Sequence, residues 1–487
     1  KMKTYSYLAV ISIIINYAVG TGILNLPHTV ASASITVSII LISIITFSSY
    51  LLGHYSLDAL SRSFALKNVT ENHETKLQDS ELLNSDVKPE EQKLILMEAN
   101  YTIPNDYTFQ VSQLCKMYFK KWGFYIYQLA IIIYFFGTIW GYSQVVASSL
   151  TSVIPLTFLP NFHGGAWVCT DPCHDYGQAC SDAYWIWIAV CLLASLMVFV
   201  NLSDQKILQA IFTGCRFLLL GITCILVIYC LSTQPFKDIK YPSGSFVNPN
   251  VPMARFDLKS LGTLFSSVTF SQVYHHSLPS IFQPTHPTSQ PKLNFSILVS
   301  QIFLFIVTIL IALPGALYFG NDGADLVTLN FQSWTGRGFV GAQPLFPAIL
   351  SYLIRLLPPI YVLTAIPING LTMSVNVVEL FPLQIKEKKW FQIVVKLACV
   401  IPPIVLGGFS RCLGVIIEFT GLMGFVIMLA PAAVLLAAQK ECKKQFGGMG
   451  SVFGIRALDH PAVVWGVIGF NLIGFALTVY SLIVGMI

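Results

Sequence analysis

The sequence predicts an all-α polytopic membrane protein with about eleven transmembrane helices. Three observations predict it. Hydrophobic residues make up 55% of the 487 and charged residues only 10%, against about 25% charged in soluble domains. Apolar runs long enough to cross a hydrocarbon core recur along the whole chain, since a core about 30 Å thick needs roughly 20 helical residues. Those runs are uninterrupted, whereas the strands of a membrane β-barrel alternate apolar and polar residues in segments of about ten.

The runs are read at residues 6–29, 31–55, 124–154, 184–200, 207–232, 258–282, 293–319, 345–381, 391–409, 413–439 and 462–487. The first lacks a small-residue cleavage signature and carries Asn16, Gly20 and Pro27 in its interior, so it is expected to remain as a helix and not to be removed as a leader. Orientation follows the lysines and arginines beside short loops. With the amino terminus cytoplasmic, that side collects Lys1, Lys3, Lys206, Lys292, Lys386, Lys388, Lys389, Lys440, Lys443, Lys444 and Arg456, while the loop at 156–183 on the opposite side has no basic residue. The net charge of +5 reflects this bias and points to no nucleic-acid partner.

Within a single transmembrane domain spanning 1–487, two polar stretches stand out. Residues 56–121 carry mixed charge and few aromatics in their first half, the composition of a cytoplasmic, partly disordered loop. Asp79–Leu83 and Glu90–Ile95 resemble acidic-dileucine sorting signals and lean toward endolysosomal membranes over the plasma membrane. The glycosylation patterns at Asn68 and Asn100 fall on the same side and would stay bare. The stretch 156–183 is expected to be lumenal or extracellular, where disulfides persist. One pair among Cys169, Cys173 and Cys180 is expected, with Cys412 a partner for the third. A zinc site on Cys169, Cys173, His174 and Cys180 is the competing reading, although the spacing fits no common zinc motif.

The first run poses a physical problem. In lipid every backbone donor and acceptor must be paired, so a helix breaks only where it is buried in protein or lines a wet cavity. Gly20 and Gly22 let the chain leave helical angles and Pro27 has no amide proton. An unwound segment near mid-membrane follows. The sixth run repeats the pattern in Phe270–Ser280, with Ser277-Leu-Pro279 matching Asn25-Leu-Pro27. If runs one to five and six to ten are two halves, each with an odd number of spans, the halves are inverted in the membrane. Matching interruptions then mark a transporter's binding site. Close helix packing through small residues is the plainer explanation of either break alone.

Asn16-x-x-x-Gly20-Thr-Gly-Ile-Leu24, followed by Pro27, resembles the helix-one signature of the amino acid/auxin permease family of amino acid transporters. His276–Ser280, Thr328–Phe331 and Asp204–Gln209 narrow the resemblance to one branch of it. The resemblance implies a LeuT-like fold of five plus five inverted helices and one extra, with helices one and six broken. It implies substrate binding by Gly20, Thr21 and Gly22, faced by Ser271, Gln272 and His275 or His276. It also places Asn16 where sodium-coupled members hold a sodium ligand, with Thr364 the best hydroxyl from helix eight.

Ionisable residues inside spans are costly and therefore suspect. Glu418 is the carboxylate placed most clearly within hydrocarbon, with Arg216 and Arg355 as candidate partners. Proton coupling through Glu418 or the histidine pair competes with a structural ion pair. No cofactor is expected beyond a coupling ion, Na+ or H+. The sequence holds no nucleophile elbow, zinc-protease helix motif or phosphate loop, so no enzyme is expected. The expected function is secondary active transport of a small neutral amino acid. The alternative is a non-transporting sensor that signals through 56–121.

Overall fold

A computed structural model describes residues 6–82, 101–103, 109–162, 164, 167–169, 173, 176–200, 206–236, 247–339, 341–447 and 451–486. Among them the chain is built from helices and contains no β-strand. The first expected span is in pieces: α1 (Tyr7–Ala18), a 3-10 turn (Thr21–Leu24) and α2 (Leu26–Ala33). Then come α3 (Ile35–Leu82), α4 (Val111–Val153), α5 (Gln178–Ser195) and α6 (Lys206–Thr233). The sixth expected span is also in pieces: α7 (Leu258–Ser271), a 3-10 turn (His275–Ser277) and α8 (Leu278–Phe282). Five long helices complete the chain: α9 (Leu293–Phe319), α10 (Leu345–Glu379), α11 (Lys389–Phe409), α12 (Leu413–Phe446) and α13 (Pro461–Met486). Among the described residues nine helices are long and apolar enough to cross a membrane. Both interrupted segments fall outside that count.

Each break has the same local cause. Pro27 and Pro279 stand at the second position of a resumed helix, after Leu26 and Leu278. There the missing amide proton has no intrahelical acceptor to lose and the fixed φ suits helix initiation. The prolines therefore start the second halves instead of kinking a continuous rod. Pro27 packs into a notch in α9, where a Cβ on Gly315 would lie 2.7 Å from it. The rest of α2 is stitched to the chain beyond α9. Asn25 donates to the Asp325 carbonyl at 3.0 Å, Ser32 to Asn321 Oδ1 at 3.0 Å, and His28 lies 3.4 Å from the Asp325 carboxylate.

Small residues bring the long helices together, the usual device where lipid supplies no hydrophobic drive for association. A side chain at Gly262 in α7 would collide with the Leu477 carbonyl of α13, and one at Gly421 in α12 with the Ser266 carbonyl of α7. The Asp257 carboxylate caps α7, accepting from the Ser260 amide at 3.0 Å and its hydroxyl at 2.6 Å. These bonds hold the acid below the ordinary carboxylate range.

The two polar stretches differ from the sequence expectation in part. Helix α3 runs through residue 82 and α4 begins at 111, so both ends of the expected loop at 56–121 are helical. At its start Asp58 and Arg62 are buried, beside His54 just ahead of it. His54 and Asp58 are completely buried. His54 bonds Asp459 and Asn294, each at 2.8 Å, and Arg62 donates to Asp58 at 2.9 Å. The second sorting pattern and Asn100 lie outside the described residues, as does Leu83 of the first. On the other stretch Cys169 pairs with Cys180 and Cys173 with Cys412, so the thiols a zinc site would need are consumed. His174 lies outside the described residues.

Replacing Asp58 by Asn removes the carboxylate that faces buried Arg62. A loss on the order of 3–5 kcal/mol is expected for breaking a buried pair, read as a lower melting temperature of the purified protein in detergent.

Candidate functional site

The break in α1 frees backbone groups before any ligand is considered. In a continuous helix the Gly20 amide would bond the Asn16 carbonyl; here it bonds the Ala18 carbonyl instead, at 2.9 Å. The Asn16 carbonyl is left without its intrahelical donor at the negative end of a helix dipole. Beside it opens a cavity of about 170 Å3, well below the roughly 300–1,000 Å3 of pockets that hold drug-sized ligands.

Four elements line the cavity. Asn16, Tyr17, Val19 and Gly20 come from the broken segment, Tyr142 from α4, and Thr213 and Arg216 from α6. The fourth wall is a stripe on α10: Tyr361, Thr364, Ala365, Ile368 and Asn369. Their spacing of three, four, seven and eight residues from Tyr361 puts them on one helical face. The lining holds a cation and no carboxylate.

Arg216 organises this space. Its Nη1 donates to the Val19 carbonyl at 2.7 Å, the Asn16 carbonyl at 2.8 Å and Asn16 Oδ1 at 3.1 Å. The guanidinium carbon lies 5.0 Å from the Tyr361 ring centre, within cation–π range. Thr213 donates to Asn16 Oδ1 at 3.2 Å, and Thr364 bonds the Tyr361 carbonyl of its own helix at 3.0 Å.

The expected site residues divide in two. Asn16, Gly20 and Thr364 meet at the cavity. Thr21 and Gly22 are buried outside its lining, and Gly22 serves the approach of the two broken segments: a Cβ there would lie 2.6 Å from the Phe270 ring and 3.5 Å from the Ser271 backbone. Ser271 bonds the Val268 carbonyl at 2.7 Å. Gln272 and His275 turn to α3, Gln272 donating to Thr46 at 2.8 Å and His275 meeting the Ser49 carbonyl at 3.0 Å. His276 instead faces the first segment and α4. Its ring lies 6.3 Å from Tyr17, itself on the cavity wall, and 5.3 Å from Phe135.

Glu418 sits between α12, α7 and α13, accepting from Thr263 at 3.3 Å, while Thr263 also bonds Ser481 at 2.9 Å. Neither expected arginine reaches it. Arg216 is held at the α1 break, and Arg355, 2% exposed, bonds the Ser152 and Ser351 carbonyls and the Ser351 hydroxyl. Arg216 as a cavity residue escaped the sequence reading, although a charge within an apolar span marks a functional position by default. Of the α10 stripe the sequence reading named Thr364 alone.

The two glycines separate packing from site. Gly22→Ala is expected to lower the melting temperature through overpacking against Phe270, at a cost of about 1–3 kcal/mol. Gly20→Ala is expected to be tolerated, since its Cβ would sit 3.6 Å from the Tyr142 hydroxyl, an ordinary van der Waals distance. Thermal melts of the two variants check the contrast.

Residues 92–484 match the family model described as transmembrane amino acid transporter protein. Among individual relatives, the transmembrane protein 104 homolog of Drosophila melanogaster is 24% identical over 495 residues, covering 91% of this chain and 90% of that protein. Transmembrane protein 104 of Gallus gallus is 25% identical, covering 89% and 87%. The Homo sapiens protein of that name is 23% identical, covering 91% and 90%. This is the branch to which the motifs at His276–Ser280, Thr328–Phe331 and Asp204–Gln209 point. The chain belongs to the transmembrane amino acid transporter family.

Proposed function

We propose that the protein is a secondary active transporter of a small neutral amino acid, with the cavity at the α1 break as its substrate site. The observation that carries this reading is the cavity itself: a small polar space opened where a membrane helix unwinds, at a depth where unwound backbone is tolerated only beside protein or water. Its size suits a ligand of few heavy atoms. The side chains of Tyr142, Tyr361 and Asn369 on its wall supply polar groups suited to an amino acid's two charged ends.

The paired breaks give the architecture its reading. The segments at Tyr7–Ala33 and Leu258–Phe282 resume alike, with Leu-Pro opening the second half. We take them as the first helices of two inverted five-helix halves, which with α13 make eleven spans in a LeuT-like arrangement. In that arrangement the amino terminus is cytoplasmic and the membrane endolysosomal or plasma. Alternating access then requires one set of helices to rock against the rest around the cavity. A gradient of Na+ or H+ would supply the work.

The test is uptake of labelled neutral amino acids into proteoliposomes under a sodium gradient, a proton gradient or none. Gradient-driven uptake is expected, abolished by Gly20→Val, whose branched side chain fills the cavity while leaving the melting temperature near that of Gly20→Ala. Saturable binding without flux under every gradient would identify a sensor and overturn the transport reading.

A further inference from the structure

We propose that His54 and Asp459 form a buried proton-binding site: His54 carries a hydrogen on both ring nitrogens, and the bound proton clasps the chain between α12 and α13 onto α3 and α9. The site is defined without reference to any substrate. Only its consequence for transport rests on the reading above.

Hydrogen-bond geometry assigns the proton. His54, on α3, is completely buried. Its Nε2 lies 2.8 Å from Asp459 Oδ1 and its Nδ1 2.8 Å from Asn294 Oδ1 of α9. The Asn294 amide is fixed by its other bond, since Nδ2 donates to the Phe453 carbonyl at 2.8 Å. Turning it over would set two oxygens against each other. The second oxygen of Asp459 accepts from the Ile455 amide. Both ring nitrogens of His54 therefore face acceptors. A neutral imidazole has one N–H and one lone pair, so in either tautomer a lone pair would meet an oxygen. One additional proton on the pair removes that conflict, and imidazole is a stronger base than a carboxylate, which places the proton on the ring.

The charges around the ring agree. Helix α3 presents Asp58 and Arg62, bonded to each other at 2.9 Å, with the phenols of Tyr50 and Tyr55 near Asp459. Helix α9 presents the neutral Asn294. Helix α12 presents the Cys442 thiol beside Arg62, and Gln439, which donates to the Asp459 carbonyl at 2.9 Å. With His54 protonated, His54 and Arg62 balance Asp58 and Asp459. Without the proton one buried carboxylate stays uncompensated, the arrangement that burial tolerates least. Tyr55 holds the same connection through the Leu458 carbonyl at 3.0 Å. Disulfide-bonded Cys412 precedes α12 and this connection follows it, so staple and clasp sit at opposite ends of that helix. A proton so enclosed exchanges only when the clasp opens, which makes its release and the parting of the connection from α3 one event.

The test uses the purified full chain without any amino acid. Nitrogen-15 NMR of histidine-labelled protein at about pH 8, where free imidazole is largely neutral, should show a ring with both nitrogens protonated. Asp459→Asn should abolish that signal while keeping the fold, because its amide nitrogen donates to Nε2 and His54 becomes neutral. His54→Gln should remove the same signal. Absence of a doubly protonated ring in wild type would overturn the proposal without any variant, and so would a signal that survives both substitutions. Thermal melts give an independent reading. A proton held in the fold and released on unfolding raises the unfolding constant about tenfold per pH unit. Its contribution is complete below about pH 6.5 and declines as pH rises above it. The melting temperature of wild type should therefore fall more steeply between about pH 7 and pH 9 than that of Asp459→Asn; parallel profiles would count against the site. In proteoliposomes the pH dependence of uptake should weaken in Asp459→Asn, and an unchanged dependence would remove the clasp from the transport cycle. Absence of uptake under every gradient, with the NMR result as expected, would sink the transport reading and leave the proton site standing.

Discussion

A peptide group inside a bilayer has no water to turn to, and the arrangement around the first span follows from that. Once α1 stops at Ala18, the carbonyls of Asn16 and Val19 need new donors. Arg216 supplies them from α6, and its charge needs the same oxygens as much as they need a donor. The break and the half-buried cation are thus solutions to each other. Either alone would be expensive at this depth; together they leave a small polar cavity with one wall of loosened backbone.

The breaks were legible in the sequence because their causes are local. Gly20, Gly22, Pro27 and Pro279 restrict or release the backbone wherever they stand. On α10 only Thr364 was named; the helical period puts Tyr361, Ala365, Ile368 and Asn369 on its face once the cavity is known. What was not legible depended on partners distant in the chain. Nothing in Phe270–Ser280 says that Gln272 and His275 turn toward Thr46 and Ser49 while His276 turns toward Tyr17. Nor does the polar composition after Ser56 disclose that His54 is bonded to Asp459, some 400 residues on. The start of that stretch reads as solvated by content, yet Asp58 and Arg62 within it are buried and paired with each other.

Glu418 and the arginines teach the same lesson about charge. Composition suggested that an intramembrane acid and two intramembrane bases should find one another. In the fold each is met by dipoles: Glu418 by Thr263, Arg355 by the Ser152 and Ser351 carbonyls, Arg216 by the broken end of α1. Carbonyls near helix ends and hydroxyls are plentiful in a helical bundle and invisible as charges in a sequence, so a charge census alone pairs the wrong groups.

The seat of Pro27 in the notch at Gly315 has a mechanical consequence. Helix α2 is fastened to α9 and its following turns at three heights, by Pro27 against Gly315, Asn25 to Asp325 and Ser32 to Asn321. It therefore cannot tilt as a free door. Asp325 in turn accepts from the Gly414 amide at 3.1 Å, two residues from the disulfide at Cys412. Any tilt of α2 is geared through Asp325 to the first turn of α12, and the covalent staple there resists it. Movement on this side of the cavity would then be the stiff movement of a coupled train.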